Sequence, residues 1–210
     1  MKKTLTVIIA LVLVVVMSVA GTVAYLTSSD TVTNTFTVGN VQIKLDEAKA
    51  NPDGSLVANA DRVKANSYKL LPGHTYNKDP MVTVLSGSES SYIKMTVTFS
   101  KANELDAIFD PDGATLTTIF NGYDSSNWTY KGNTKNAADN TRTYEFWYKE
   151  AVAAPDGNVA LDALFDSITV PGSITNEQLK TIEGMTIKVN AYAIQADGFA
   201  NAEAAWVAFK

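Results

Sequence analysis

The residues that could carry chemistry are few, and their types narrow the choice at once. His74 is the only histidine and there is no cysteine. A zinc site built from two or three imidazoles is therefore impossible, as is any thiolate nucleophile or thiolate metal ligand. A Ser-His-Asp triad would have to use His74, which lies in the turn Pro72-Gly73-His74-Thr75, and the Gly-x-Ser-x-Gly elbow is missing. His74 reads as a solvated loop residue. Glu104, Asp106, Glu145 and Glu150 have the residue type needed for paired-carboxylate glycoside chemistry, but no spacing singles them out. Asp110-Pro111-Asp112-Gly113 begins like a calcium loop and then lacks the later ligands and the closing glutamate, so turn chemistry explains it. Leu71-Pro72-Gly73-His74-Thr75 approximates a sortase signal, yet it is mid-chain and does not end in glycine. The reading is of a protein that is not an enzyme, with no catalytic residue, no metal and no cofactor.

The remaining candidate is a main-chain device. From Ser28 to Gly39 the chain is rich in threonine, with Val32, Phe36 and Val38 at even spacing, so that all three share one face of an extended strand. A strand with no obligatory partner in its own sheet can pair with another molecule by β-augmentation. Its apolar side chains would plug pockets while its backbone completes a sheet.

What precedes this ribbon says where it acts. Lys2 and Lys3 lead an apolar run from Leu5 to Met17, followed by the small residues Ser18, Ala20 and Gly21. That order is a secretory signal, and the run is shorter than the roughly 20 apolar residues of a spanning helix. Thr22 and Ala24 supply small residues at −3 and −1, so the expected cut lies between Ala24 and Tyr25, with Ala20 and Tyr25 as the competing −1 positions. The expected organisation is a signal peptide over 1–24, a donor-strand segment over 25–39 and a folded domain over 40–210. Loss of the two positive charges of Lys2 and Lys3 takes the formal net charge from −5 to −7. Such a surface is wrong for nucleic acid. Secretion without cysteine means that packing, not disulfides, must stabilise the domain.

The elements that must position the ribbon read as strands. Val41, Ile43 and Leu45 alternate with Gln42, Lys44 and Asp46, and Glu47 to Ala65 is a polar surface excursion turning at Pro52-Asp53-Gly54. Strands are expected at 68–71, 81–85, 128–131, 142–150, 168–170 and 185–196. The best alternation spans Tyr92 to Phe99, with Ile93, Met95, Val97 and Phe99 on one face and a wet opposite face. Short helices are expected at 101–109 with Ser100 as cap, at 159–165, at 176–181 after Thr175, and at 202–209. Many short strands with small inserted helices indicate a mainly β fold, an antiparallel jelly-roll sandwich behind an N-terminal signal helix.

Gly21-Thr22-Val23-Ala24-Tyr25-Leu26-Thr27, Asn34-Thr35-Phe36-Thr37-Val38-Gly39 and Val41-Gln42-Ile43-Lys44-Leu45 resemble the N-terminal signature of the TasA/camelysin family. Leu71-Pro72-Gly73, Lys78-Asp79-Pro80 and Val82-Thr83-Val84 are similar to that family's next block, and Val189 to Gln195 to its closing sequence in Gram-positive bacteria. The resemblance implies a jelly roll exported through a SipW-type signal peptidase, with contact to the membrane only before cleavage. For TasA-like members it implies assembly into biofilm-matrix fibres, the N-terminal segment of one subunit completing the sheet of the next. Carried over, the donor is about Tyr25 to Val38, with Val32, Phe36 and Val38 pointing inward. The partners implied are further copies of the chain and other matrix components. A monomeric surface-binding domain or fibre accessory is the alternative, and a camelysin-like metallopeptidase comes last because His74 stands alone.

Overall fold

The structure, a computed structural model, describes residues 39–109 and 119–209. The signal segment, Ala24, Tyr25, Val32, Phe36, Val38 and the Asp110-Pro111-Asp112-Gly113 stretch all lie outside the described residues.

The fold is mainly β, and every strand pairing is antiparallel. The largest sheet has the order β10 (Ile187–Gln195), β4 (Ser88–Ser100), β6 (Thr141–Tyr148), β5 (Trp128–Asn136), and β7 (Val152–Ala154) pairs with the start of β4. A second sheet runs β1 (Ile43–Asp46), β3 (Met81–Val84), β8 (Val159–Ala160), and β2 (Thr75–Asn77) pairs with β9 (Ser167–Thr169). The helices α1 (Ala102–Phe109), α2 (Asn176–Thr181) and α3 (Ala202–Ala208) are short. None among the described residues is long and apolar enough to cross a membrane.

The alternation of β4 decides the core. Ile93, Met95 and Val97 are fully buried and Phe99 nearly so, because β10 and β6 flank the strand and the period of two sends all four inward. Around them Phe120 packs on Phe99, Tyr144, Phe146 and Phe165 with ring centroids 4.8–5.8 Å apart. The opposite face is drier than its polar residues imply. Lys94 there lies under α3, its Nζ 4.6 Å from the Trp206 ring centroid, 5.2 Å from Phe209 and 5.5 Å from Tyr192. The aliphatic stem is covered while the ammonium meets three ring faces.

Several local expectations change. Residues 68–71 form no strand; the strand begins after the turn, at Thr75. The phenols take over the pairing role: Tyr76 donates to Lys69 O at 2.7 Å and accepts from Leu71 N–H at 2.7 Å, and Tyr68 donates to Asn77 O at 2.6 Å. Residues 159–165 are not a helix. Val159 and Ala160 pair with β3, and the N–H groups of Leu161 and Leu164 continue along its edge to Val82 O and Pro80 O. Leu161, Leu164 and Phe165 enter the core from this extended path. β5 does not end at Lys131 but runs on to Asn136 by way of a bulge between Tyr130 and Gly132. Ser100 does not cap α1. Its hydroxyl accepts from Thr186 N–H, while Asn140, across the hairpin turn, accepts from Ala102 and Asn103 N–H through its carbonyl and Oδ1. α2 has the capping box Thr175/Gln178 and α3 the cap Asn201.

Candidate functional site

The acidic residues of glycosidase type are not brought together. Asp106 takes Lys135 Nζ and Arg142 Nη2, both at 2.7 Å, and Glu104 takes Asn140 Nδ2 at 2.8 Å. Glu145 accepts from Trp147 Nε1 at 2.6 Å, on the Lys94 side of β6, and Glu150 is exposed. No two of the four share a partner. Burial opposes the charge on Asp106, but Lys135 and Arg142 outweigh it and hold the carboxyl below its usual range. A carboxylate so neutralised is a structural ion-pair member. His74 sits exposed in its turn, its ring 6.4 Å from that of Tyr76. Among the described residues no three His, Asp or Glu side chains gather as a metal site.

The sheet edges are more informative. β5 closes one side of the large sheet and is blunted: the bulge kinks it, Gly132 takes φ +125°, and Lys131, Asn133, Lys135 and Asn136 line it. β10 closes the other side and has neither a bulge nor a glycine. Its nine residues pair with β4 in unbroken register from Ile187 opposite Phe99 to Gln195 opposite Ser91. Among the described residues its outer edge pairs with nothing, and Lys188 is its one charge. Ile187, Val189, Ala191 and Ala193 pack on the core yet remain half-buried.

β1 is an open edge of the second sheet and runs beside β10 without a ladder between them among the described residues. Between the two lies a cleft of about 530 Å³, lined by Leu45, Lys64, Lys78, Pro80, Ile187 and Val189. A larger cavity, about 770 Å³, adjoins it through the shared residues Asn66, Lys78, Thr186 and Ile187 and extends among Phe99, Leu105, Tyr144, Ile182 and Met185. The chain enters this unit at Gly39-Asn40, where Asn40 O accepts from Glu89 N–H at 2.8 Å.

A group of charges under this cleft escapes pattern reading. Glu47 to Ala65 reads as a solvated excursion, but Asp46 and Glu47 are almost fully buried. Arg62 returns from the excursion to bind Asp46 Oδ1 at 2.6 Å through Nε and Asp79 Oδ2 at 2.8 Å through Nη1, and its Nη2 donates to both main-chain carbonyls. Lys78 Nζ lies 2.5 Å from Glu47 Oε2. Burial opposes the charge on Asp46, yet Lys44 and Arg62 hold its carboxyl below the usual range. The available sequence signal was that Lys78-Asp79 precedes Pro80 and that Asp46-Glu47 ends an apolar alternation. Charges at strand ends that are buried need partners from elsewhere in the chain.

The chain matches no family model, no curated protein and no solved structure.

Proposed function

We propose that the mature chain is a secreted structural subunit of an extracellular biofilm-matrix fibre, cut from its signal peptide at Ala24-Tyr25 by a SipW-type peptidase. In this reading the domain is a jelly roll. The segment Tyr25 to Val38 of one subunit adds to the open sheet edge of the next, seating Val32, Phe36 and Val38. Such a head-to-tail contact does not close on itself and so propagates as a filament. The observation that supports it best is the contrast between the two edges of the large sheet. Natural sheets protect long, flat edges, and β5 carries a bulge and two lysines while β10, beside the half-buried row Ile187, Val189, Ala191 and Ala193, has no bulge and one lysine. An edge of this kind is suited to a β-strand ligand, whose main chain supplies the hydrogen bonds.

A monomeric surface-binding domain or fibre accessory is the second reading. It is favoured by the entry point: Asn40 is held by Glu89, next to Ser90, whose carbonyl accepts from Ala196 N–H at the end of β10. The chain thus enters the domain close to the end of β10, and in this reading residues 25–38 fold back on that edge of their own domain. Negative-stain imaging and sedimentation of the mature protein, with and without residues 25–38, separate the two. Fibres that vanish on trimming support the polymer; a mature protein that stays monomeric at every concentration overturns it.

A further inference from the structure

Beneath β1 an amine, a carboxamide and a carboxylate meet. The Lys78 and Glu47 side chains are 9% and 7% exposed, with Nζ 2.5 Å from Oε2. The second carboxylate oxygen, Oε1, accepts from Asn66 Nδ2 at 2.9 Å. Asn66 is fixed by two further bonds: Nδ2 donates to Ala48 O at 2.8 Å and Oδ1 accepts from Ala50 N–H at 2.9 Å. An ion pair alone would require only Lys78 and Glu47. Here the same carboxylate also holds an oriented amide, at the junction of the two cavities.

We propose that Lys78 and Asn66 become joined by an intramolecular amide bond between Nζ and Cγ, with Glu47 as the proton relay. Lys78 first gives a proton to Glu47, which frees the Nζ lone pair. The amine swings from Oε2 to attack Cγ, and the developing oxyanion on Oδ1 is met by the Ala50 N–H, a donor already in place. Glu47 passes the proton from Oε1 to Nδ2. A second proton from Nζ follows the same route, the Cγ–Nδ2 bond breaks, and the nitrogen departs as ammonium. Two protons have left Nζ, both sit on the leaving nitrogen, and Glu47 is again a carboxylate. Nothing is oxidised or reduced and no co-reactant is consumed. The neighbouring Tyr68 phenol reports the same surroundings: burial, and then the Glu47 charge, push it up to about 12.

The bond would close the loop from residue 66 to residue 78 and tie the 47–66 excursion to the end of β2. A covalent tie of this kind acts as a disulfide does, by restricting the unfolded chain, and the chain has no cysteine with which to make one.

Intact mass spectrometry and tryptic mapping of the mature protein test the proposal. The expected mass is lower than that of the sequence by one ammonia. Cleavage after Lys78 is blocked, and residues 65–69 remain attached to residues 70–94. Glu47→Gln and Asn66→Ala each restore the full mass and cleavage after Lys78, the second with the circular dichroism of the parent. Wild-type protein at full mass with Lys78 cleavable overturns the proposal. So does an ammonia deficit confined to residues 65–69, which is a succinimide at Asn66. A link that survives in Glu47→Gln refutes the relay.

Discussion

Replacing Phe120 by alanine should cost the domain a large share of its stability. The ring is fully buried and touches Phe99 of β4, Tyr144 and Phe146 of β6, and Phe165 ahead of β9, so one side chain joins the large sheet to the segment between β8 and β9. Three of the contacts join it to rings of the large sheet. Two of these, to Tyr144 and Phe146, are edge-to-face at 87° and 85°, geometries that add to plain area burial. Truncating a buried phenylalanine costs about 3–5 kcal/mol, and the packing here argues for about 4. Natural domains hold only ~5–15 kcal/mol in total. With a urea slope of ~2 kcal/mol per molar, the unfolding midpoint should fall by about 2 M at unchanged slope. Phe120→Leu keeps most of the volume and should cost about 1.5 kcal/mol or less. Urea titration followed by tryptophan fluorescence reads both variants. A midpoint that moves by less than about 0.5 M in Phe120→Ala refutes the packing argument.

Other outcomes follow from single features. Gly54 has φ +91°, and a Cβ there would lie 2.6 Å from Thr75 O and 2.8 Å from Tyr76 Cα, so Gly54→Ala should lower the thermal midpoint clearly whereas Gly157→Ala, with open space around it, should not. Asn140→Gly keeps the left-handed backbone at φ +50° and the carbonyl that accepts from Ala102 N–H but removes the Oδ1 that accepts from Asn103 N–H, and should cost about 1 kcal/mol in denaturant titration. Asp46 and Asp106 have folded-state carboxyls held below their unfolded value of 3.8. Their stabilisation is therefore present above that value and is lost as pH falls through the folded ones. Thermal midpoints should be level from neutrality to about pH 5 and drop below about pH 4, with a shallower drop in Asp106→Asn.

Much of this architecture was legible because a half-buried strand writes its burial as a period of two. The row Ile93, Met95, Val97, Phe99 could be read directly, and Thr175 announced α2. Reading failed where a residue's partner is remote in sequence. The cap of α1 comes from Asn140 rather than the adjacent Ser100, and nothing local says so. Leu161, Leu164 and Phe165 have spacing compatible with a helical turn, but β3 offers its edge to their backbone. Tyr68 and Leu71 have the composition of a strand and lie where phenol hydroxyls satisfy the main chain instead. That β10 has no outer partner among the described residues was invisible for the same reason. Alternation marks a strand, whereas only the pairing order tells which strand is last in its sheet.

The 25–38 segment of one molecule is proposed to pair with β10 of the next. Hydrogen exchange on the mature protein, read by mass spectrometry before and after assembly, tests it most directly. Amides of Ile187–Gln195 should gain protection on assembly, those of β5 should not, and neither should change when residues 25–38 have been removed. Equal protection of β10 in the dilute monomer and the assembled state, or fibres formed by the trimmed chain, would contradict it.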